Sequence, residues 1–487
     1  MLATATSQPF IPADLEIFER NLRKPNGDPT GFAGFFNSGE VWVARAPARL
    51  DVMGGIADYS GSNVCETVLD RGMLMALQPR TDSTLRIRTV QLTHRGLPVE
   101  TRIPLSYLRS GDTLAEYGEI RDLCRSNPLL NWAAYIGGSI FTLLKEEAVN
   151  MPYGFSMLLM SSVPMNVGIG SSAAVEIGTL SCLNAYLGLG LTPMRIARLG
   201  QIAENHVVGA PCGIMDQIAI SCGRRDTLTH ILCRPGSVQG EIAIPDGTGF
   251  VGINSMVRHS VGGSPYSVTR IGAFMGKRII NALRAERGAL PISHLTELST
   301  GEFAKEYEAH IPESLLVSEF LERYRTHDDP VTIIQPDATY RILGPTRHPI
   351  GENERTLRFM DALRAAEGGK GSRVDALTTA GEAMYGAHES YRDQCRLSVP
   401  EVDFLVEAVR RRGPKAGLYG AKITGGGTGG TVAVFGELDA LNEHIPQIAS
   451  DYSRLVGAMP DIFQGSSPGA GEFGARRYAF SAHGWKS

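Results

Sequence analysis

The chain has 487 residues, 43% of them hydrophobic and 20% charged, which suits a globular protein of two to three domains with ample apolar sequence for a core. A net charge of −4 without a basic block weighs against a nucleic-acid partner or an acidic membrane surface. No apolar run reaches transmembrane length, and seven scattered cysteines without a CxxC point to reduced thiols in a cytoplasm rather than a disulfide or zinc framework.

Residues 1–40 read as polar and turn-rich, with a short helix near Ala13–Leu22 and no signal-peptide pattern. Val41–Ala46 is a compact strand signal. It leads into APARLDVMGGIADYSGSNV (46–64), which places Arg49, Asp51 and Asp58 in apolar sequence around a Gly54-Gly55 turn. Charge in such a setting must be solvated or paired. Either Arg49 forms a structural ion pair with an aspartate, or the stretch lines a substrate pocket. In the second case Asp58 accepts hydrogen bonds from hydroxyls and Arg49 stabilises negative charge. Residues 85–90 alternate as a strand does. Residues 128–149 read as a helix with Trp132, Ile136, Ile140 and Leu144 on one core-facing stripe.

The segment SSVPMNVGIGSSAAVEIGTLSCLNAYLG (161–188) follows an apolar strand, Phe155–Met160. Gly168 and Gly170 bracket a tight turn. Ile177, Leu180, Leu183 and Leu187 then recur at helical spacing up to a stop at Gly188. A helix start offers unpaired N–H groups and partial positive charge, so this turn suits an anion. Glycine permits close backbone approach, and a serine at 171 or 172 can bind phosphate or Mg2+. The plainer alternative is a helix capped by Ser171. Neither GxxxxGK[ST] nor GxGxxG is present at this turn, which argues against a Walker loop and a Rossmann site.

Residues 192–207 read as a second amphipathic helix with Glu204 facing solvent near its end. In NHVVGAPCGIMDQIAISCG (205–223), Asp216 stands in apolar sequence as a general base or a helix-start cap. The Gly- and Pro-rich RPGSVQGEIAIPDGTG (234–249) marks a boundary between domains 1–245 and 246–487. The second half opens with a strand at Phe250–Asn254, a Gly262-Gly263 turn and a long helix from Pro265. Residues 291–345 are polar and helical in pieces, and 355–368 and 374–412 read as helices. Glycine then fills five of the six positions 425–430, before the strand Thr431–Phe435. Such a loop lets backbone amides converge on an anion, with a flexible hinge as the alternative.

Taken in order, 46–59, 164–174 and 420–431 resemble the three motifs of the GHMP kinases, the superfamily named for galactokinase, homoserine kinase, mevalonate kinase and phosphomevalonate kinase. AENHVVGAPCGIMDQ (203–217) is similar to the galactokinase segment with the catalytic aspartate, and NSMVRHSVGGSPYSVTR (254–270) to the one with a sugar-binding tyrosine. Within the sugar 1-kinase branch, DVMGGIADYSGS (51–62), VRHSVGG and SSPGAGEFG (466–474) are most like the L-arabinose kinases. The likeness covers most of 41–475 and is thinnest over 80–150 and 285–395.

The resemblance implies an α+β fold of two domains, the first related to ribosomal protein S5 domain 2 and the second ferredoxin-like, with the active site between them. It implies ATP-dependent phosphorylation of the anomeric hydroxyl of a sugar, assisted by Mg2+. Asp216 becomes the proton acceptor, with Arg49 beside it. Ser172 and Glu204 become Mg2+ ligands. Gly168, Gly170, Ser171, Ser172 and the run Gly425, Gly426, Gly427 surround the triphosphate. Asp58, Tyr266 and the backbone at Gly213 hold the sugar. One departure concerns the substrate. Galactokinases read Gly-Glu-His-Thr-Asp-Tyr where this chain has Gly54-Gly55-Ile56-Ala57-Asp58-Tyr59. The Glu and His near the galactose 6-hydroxymethyl group are thus Gly55 and Ile56, which carry no polar side chain into a sugar pocket. L-arabinopyranose keeps the galactose arrangement at carbons 2 to 4 and lacks carbon 6, so the implied product is β-L-arabinose 1-phosphate. A galactokinase, a kinase of a carbon-6 variant such as D-fucose, and a catalytically silent sensor of ATP and sugar stand as alternatives. The sequence leaves monomer and dimer equally open.

Overall fold

Two long strands, Gly39–Met53 and Asn63–Pro79, form the spine of a mixed sheet. The computed structural model describes residues 11–24, 32–90, 100–257, 265–369, 371–481 and 484–486; the Gly262-Gly263 turn lies outside them. Among the described residues the first sheet has nine strands. Its main path runs Gly484–Lys486, Ala475–Ser481, Gly39–Met53, Asn63–Pro79, Phe155–Ser161, Thr84–Thr89 and Glu100–Pro104. The hairpin Thr227–Leu232 and Ser237–Ala243 attaches to Asn63–Pro79. All pairings are antiparallel except that of Thr84–Thr89 with Phe155–Ser161.

Alternation along the first strand sorts its side chains between layers. Val41 and Val43 pack with Leu15, Phe18 and Phe32 beneath the helix Ala13–Leu22. Ala44 and Ala46 pack with the helices Ala134–Glu146 and Ser171–Leu187. A register irregularity between Pro47 and Arg49 then re-aims the strand. Beyond it, Ala48, Leu50 and Val52 meet Phe359, Leu363 and Met384 of the helices Leu343–Glu367 and Arg373–Asp393. Those two helices join the first sheet to a second, four-stranded sheet ordered Leu418–Ile423, Thr431–Glu437, Thr248–Asn254, Ile462–Phe463. The helices Pro265–Glu286, Pro400–Arg412 and Leu438–Val456 complete the second core.

Several expectations change in detail. Ala475–Ser481 does not stay with the second half but pairs with Gly39–Met53, because Tyr478 completes the apolar cluster around Leu15 and Phe18. Residues 374–412 form two helices, since the residue before Pro400 is biased away from helical backbone. The 128–149 helix is broken into Pro128–Asn131 and Ala134–Glu146. The helix expected over 192–207 is α-helical only from Pro193 to Ala203, and Glu204–Val208 is a π-helical turn. No helix among the described residues is long and apolar enough to cross a membrane.

The helix Ala13–Leu22 and the segment at Ser467 are pinned to the first strand through Arg45, which is fully buried. Its guanidinium donates to both Asp14 oxygens (2.8 and 3.0 Å), the Ser467 hydroxyl (2.8 Å) and the Asp70 carbonyl (2.7 Å). Removing one partner of a buried pair strands the other charge. Asp14→Ala is expected to lower unfolding stability by about 3–5 kcal/mol in urea titrations. The double variant Asp14→Ala/Arg45→Met should regain most of that loss; equal losses would show that the pair is not the source.

Candidate active site

Arg49 leaves the first strand just past its irregularity and reaches three segments distant in sequence. Its Nε and Nη2 donate to the two Asp216 carboxylate oxygens at 2.9 and 2.6 Å, and Nη1 donates to the Gly168 carbonyl at 2.7 Å. Its backbone N–H donates to the Ile169 carbonyl at 3.1 Å. Arg49 is 3% exposed and Asp216 is 24% exposed, so the carboxylate alone opens on solvent. The ion pair that could have been merely structural is therefore also at a surface where a reacting group can arrive. Asp216 lies in the first turn of the helix Met215–Cys222 and does not cap it.

The Gly-rich turn lies directly beside this pair. Gly170, not Ser171, is the N-cap of Ser171–Leu187. It adopts a left-handed conformation (φ 78°) and its Cα packs so that an added Cβ would lie 3.1 Å from the Arg49 chain. No side chain caps the helix, which leaves its first N–H groups pointing at the turn. The third glycine run closes over the same place. Thr424 Oγ1 donates to the Gly168 carbonyl at 3.1 Å, and a Cβ on Gly425 would lie 3.1 Å from that oxygen. Gly425 and Gly427 have φ of 68° and 79°. Gly426 is crossed by the Tyr266 ring, 3.7 Å from an added Cβ.

Glu204, expected to face solvent, is 6% exposed because the π-helical turn rotates it inward. It accepts from Gln217 Nε2 at 2.7 Å and is hydrogen-bonded to Ser172. Gln217 Nε2 also contacts Glu176 at 3.1 Å, and the second Glu176 oxygen has no partner. Burial, then the nearby Asp216 charge, push the Glu204 carboxyl up to about 7; Glu176 is pushed well above the carboxylate range by its burial and by Glu204. Negative groups so poorly compensated suit a divalent cation. Ser172 and Glu204 would supply two oxygen ligands, a small number typical of Mg2+ sites completed by phosphate and water.

On the other side of Asp216 lies Asp58. A Cβ on Gly213 would overlap the Asp58 carboxylate, so glycine there is what lets the two segments touch. Tyr59 N–H donates to Asp58 at 2.8 Å, and burial, then Asp216, push the Asp58 carboxyl up to about 6. Tyr266 stands edge-on to Tyr59 at 5.9 Å. Arg270 was not expected here. It pairs with Asp329 (2.7 and 2.9 Å) and donates to the Cys212 carbonyl at 3.1 Å, which fixes the loop under Asp58. A cavity of about 280 Å3 opens behind Tyr59, between Arg270, Phe274, Lys277 and His294, and shares no wall with Asp216.

Gly55 and Ile56 are placed differently from expectation. Ile56 is 1% exposed and packs in the second apolar core with Tyr59, Tyr391 and Leu397. Gly55 is covered by Tyr391 and Asp51. Neither lines open space; they act by what they leave out. Behind them, Lys422 Nζ donates to Asp51 at 2.9 Å with both side chains fully buried. Glu66 faces Asp51 across the strand pair and lies 3.6 Å from Arg49 Nε, its own oxygens without hydrogen-bond partners. Sequence reading missed Glu66, Glu176, Gln217, Tyr391 and Lys422. For Glu66, Glu176, Gln217 and Lys422 the signal was polar character within apolar runs, whereas Tyr391 stands in a mixed-charge stretch that gave none.

Residues 134–224 match the family described as GHMP kinases N terminal domain, residues 370–453 match GHMP kinases C terminal, and residues 30–79 match the galactokinase galactose-binding signature. The chain is 36% identical to an L-arabinokinase of Arabidopsis thaliana over 91% of its own length and 47% of that protein's, so it spans about half of that relative. It is 29% identical to a galactokinase of Chloroflexus aggregans over 88% of this chain and 92% of the other. The structure of Lactococcus lactis galactokinase complexed with galactose superposes with a TM-score of 0.69 at 22% identity, covering 91% of this chain and 97% of that one.

The Glu204 environment makes a prediction about pH. Its folded pKa of about 7 lies above the ordinary 4.5, so the ligand-free fold holds this proton more tightly than the unfolded chain does. Its unfavourable contribution is absent below the ordinary value and grows as pH rises toward about 7. Glu204→Gln removes that slope. Calorimetry of ligand-free protein should give equal Tm values near pH 5 and a variant higher by about 2 °C or more near pH 8. Parallel curves would contradict the assignment.

Proposed function

The chain belongs to the GHMP kinase superfamily, and on that premise we propose that it is an ATP-dependent sugar 1-kinase that converts L-arabinose to β-L-arabinose 1-phosphate. The observation that carries the reading is the doubly hydrogen-bonded Arg49–Asp216 pair, seated on the Gly168 carbonyl of the anion-binding turn. It brings a proton acceptor and a fixed positive charge to the same few ångströms as a helix start.

Phosphoryl transfer needs alignment and charge neutralisation more than covalent help from the protein. In this reading the turn Gly168–Ser172 and the run Gly425–Gly427 hold the triphosphate through backbone N–H groups. Ser172 and Glu204 would hold Mg2+, which would supply positive charge against the phosphates. Asp58, the Gly213 backbone and Tyr266 hold the sugar. Its anomeric hydroxyl then faces Asp216, which takes the proton as the new O–P bond forms and the bond from the γ-phosphorus to the β-phosphate oxygen breaks, releasing ADP. Arg49 keeps that carboxylate aimed, and its remaining charge opposes the charge spreading over the phosphoryl oxygens.

The pentose is chosen over galactose because position 55 offers no side chain and Ile56 is turned into a core. A hexose 6-hydroxyl on that side of the sugar finds no side-chain partner from either residue. The galactose-binding signature over 30–79 and the galactokinase relatives support the second reading, a galactokinase. A silent sensor is disfavoured by the intact set Arg49, Asp216, Ser172 and Glu204.

A coupled turnover assay with L-arabinose, D-galactose, D-fucose and D-galacturonate separates these readings. L-arabinose should give the highest kcat/KM, and Asp216→Ala should lose about 10²–10⁴ of kcat. A lead for D-galactose overturns the substrate, and ATP binding without turnover on any sugar overturns the enzyme.

A further inference from the structure

Gly55 is required by its surroundings, not by its backbone conformation, which is not left-handed. A Cβ at this position would overlap both the Tyr391 hydroxyl and the Asp51 carboxylate. Neither group can retreat easily. Tyr391 is fully buried on the helix Arg373–Asp393; its hydroxyl donates to the Gly425 carbonyl at 2.9 Å. Its ring meets His348 edge-on at 5.2 Å. Asp51 accepts from Lys422 Nζ at 2.9 Å and from the Gly425 N–H at 3.2 Å. The residue at 55 is held from the other side as well, because His348 Nε2 contacts its carbonyl oxygen at 3.2 Å.

A tyrosine hydroxyl therefore stands where a side chain of residue 55 would begin. Its one hydrogen is committed to Gly425, so it offers no donor toward a ligand. A rigid ring is also a poor neighbour to displace, since cores have little free volume to absorb it. We propose that Tyr391 is a specificity-determining residue: by filling the volume that a side chain at 55 needs, it commits the sugar site to a pentopyranose and against the hexose that carries a 6-hydroxyl. The proposal rests on the sugar 1-kinase reading and adds to it the residue that enforces the choice. It also ties selectivity to the third glycine run, because the same hydroxyl bonds Gly425.

The test compares wild type, Gly55→Glu, Tyr391→Leu and the double variant, using Tm and kcat/KM for L-arabinose, D-galactose and D-fucose. Gly55→Glu alone should lower Tm and cut kcat/KM for every sugar. The double variant should regain the Tm of Tyr391→Leu and raise the galactose-to-arabinose ratio by about 10-fold or more over wild type. D-fucose, which lacks the 6-hydroxyl, should not share that gain. If the double variant does not fold, Gly55→Ala with Tyr391→Phe provides the milder pair, and the Gly55→Ala loss of Tm should shrink on the Phe background. A Gly55→Glu protein as stable and active as wild type overturns the proposal, as does a folded double variant with an unchanged ratio. Additive Tm losses in the milder pair also overturn it. Wild type inactive on all sugars overturns the kinase reading along with it, whereas an active wild type with an unchanged ratio in the double variant overturns this proposal alone.

Discussion

The Arg49 guanidinium is 3% exposed and makes hydrogen bonds to Asp216 and to the Gly168 carbonyl while lying 3.6 Å from Glu66. A charge in that position is costly unless its hydrogen-bonding capacity is met. Its partners come from the second long strand, the Gly-rich turn and the helix after Cys212. Its side-chain hydrogen bonds are therefore made only when the turn and that helix have both docked against the strand pair. That dependence makes the site a product of the finished fold. It also explains why the strand irregularity at Pro47–Arg49 matters, since it aims the side chain at the turn instead of into a layer of the core.

A second buried pair does comparable work between the two sheets. Lys422 meets Asp51 with both side chains fully buried, and the same carboxylate accepts from the Gly425 N–H. The third glycine run is thereby fastened to the first motif. Tyr391 and Thr424 fasten it further, to its own carbonyl and to that of Gly168. Loops rich in glycine are cheap to deform, and an anion site made of backbone N–H groups works only if those groups are held in place. Here Asp51 and Tyr391, side chains from two other segments, bond directly to the run, and Thr424 at its own edge ties it to the turn. Asp51 and Glu66 face each other across the strands, so like charge is concentrated behind Arg49, and burial together with Asp51 pushes the Glu66 carboxyl well above its usual range.

Much of this was legible in the sequence because its signals are local. Strand alternation, the Gly-x-Gly turn before a periodic helix and the dense glycine run are each written in consecutive residues. The fold matches those expectations at Phe155–Ser161, Ser171–Leu187 and Thr431–Glu437. Local reading failed where the environment is set by other segments. Glu204 looked like a solvated residue near a helix end, and the switch from α to π turn buries it instead. Tyr391 read as part of a mixed-charge helix; its partner, Gly425, is 34 residues away. Arg270 closed a segment quoted for its tyrosine, but its function depends on Asp329 and on a carbonyl 58 residues earlier. The C-terminal strand could not be assigned to the first sheet because the apolar face it covers lies more than 400 residues before it.

In the proposed kinase, Arg49 and Asp216 act as one unit on the transferring phosphoryl group. A double-mutant cycle in kcat tests it most directly, using single-turnover measurements with labelled ATP so that slow variants remain measurable. Arg49→Ala and Asp216→Ala should each cost about 10²–10⁴. Their combination should cost no more than the worse single change, because residues that act together are not additive. Losses that multiply across the cycle would show two independent contributions and contradict the account.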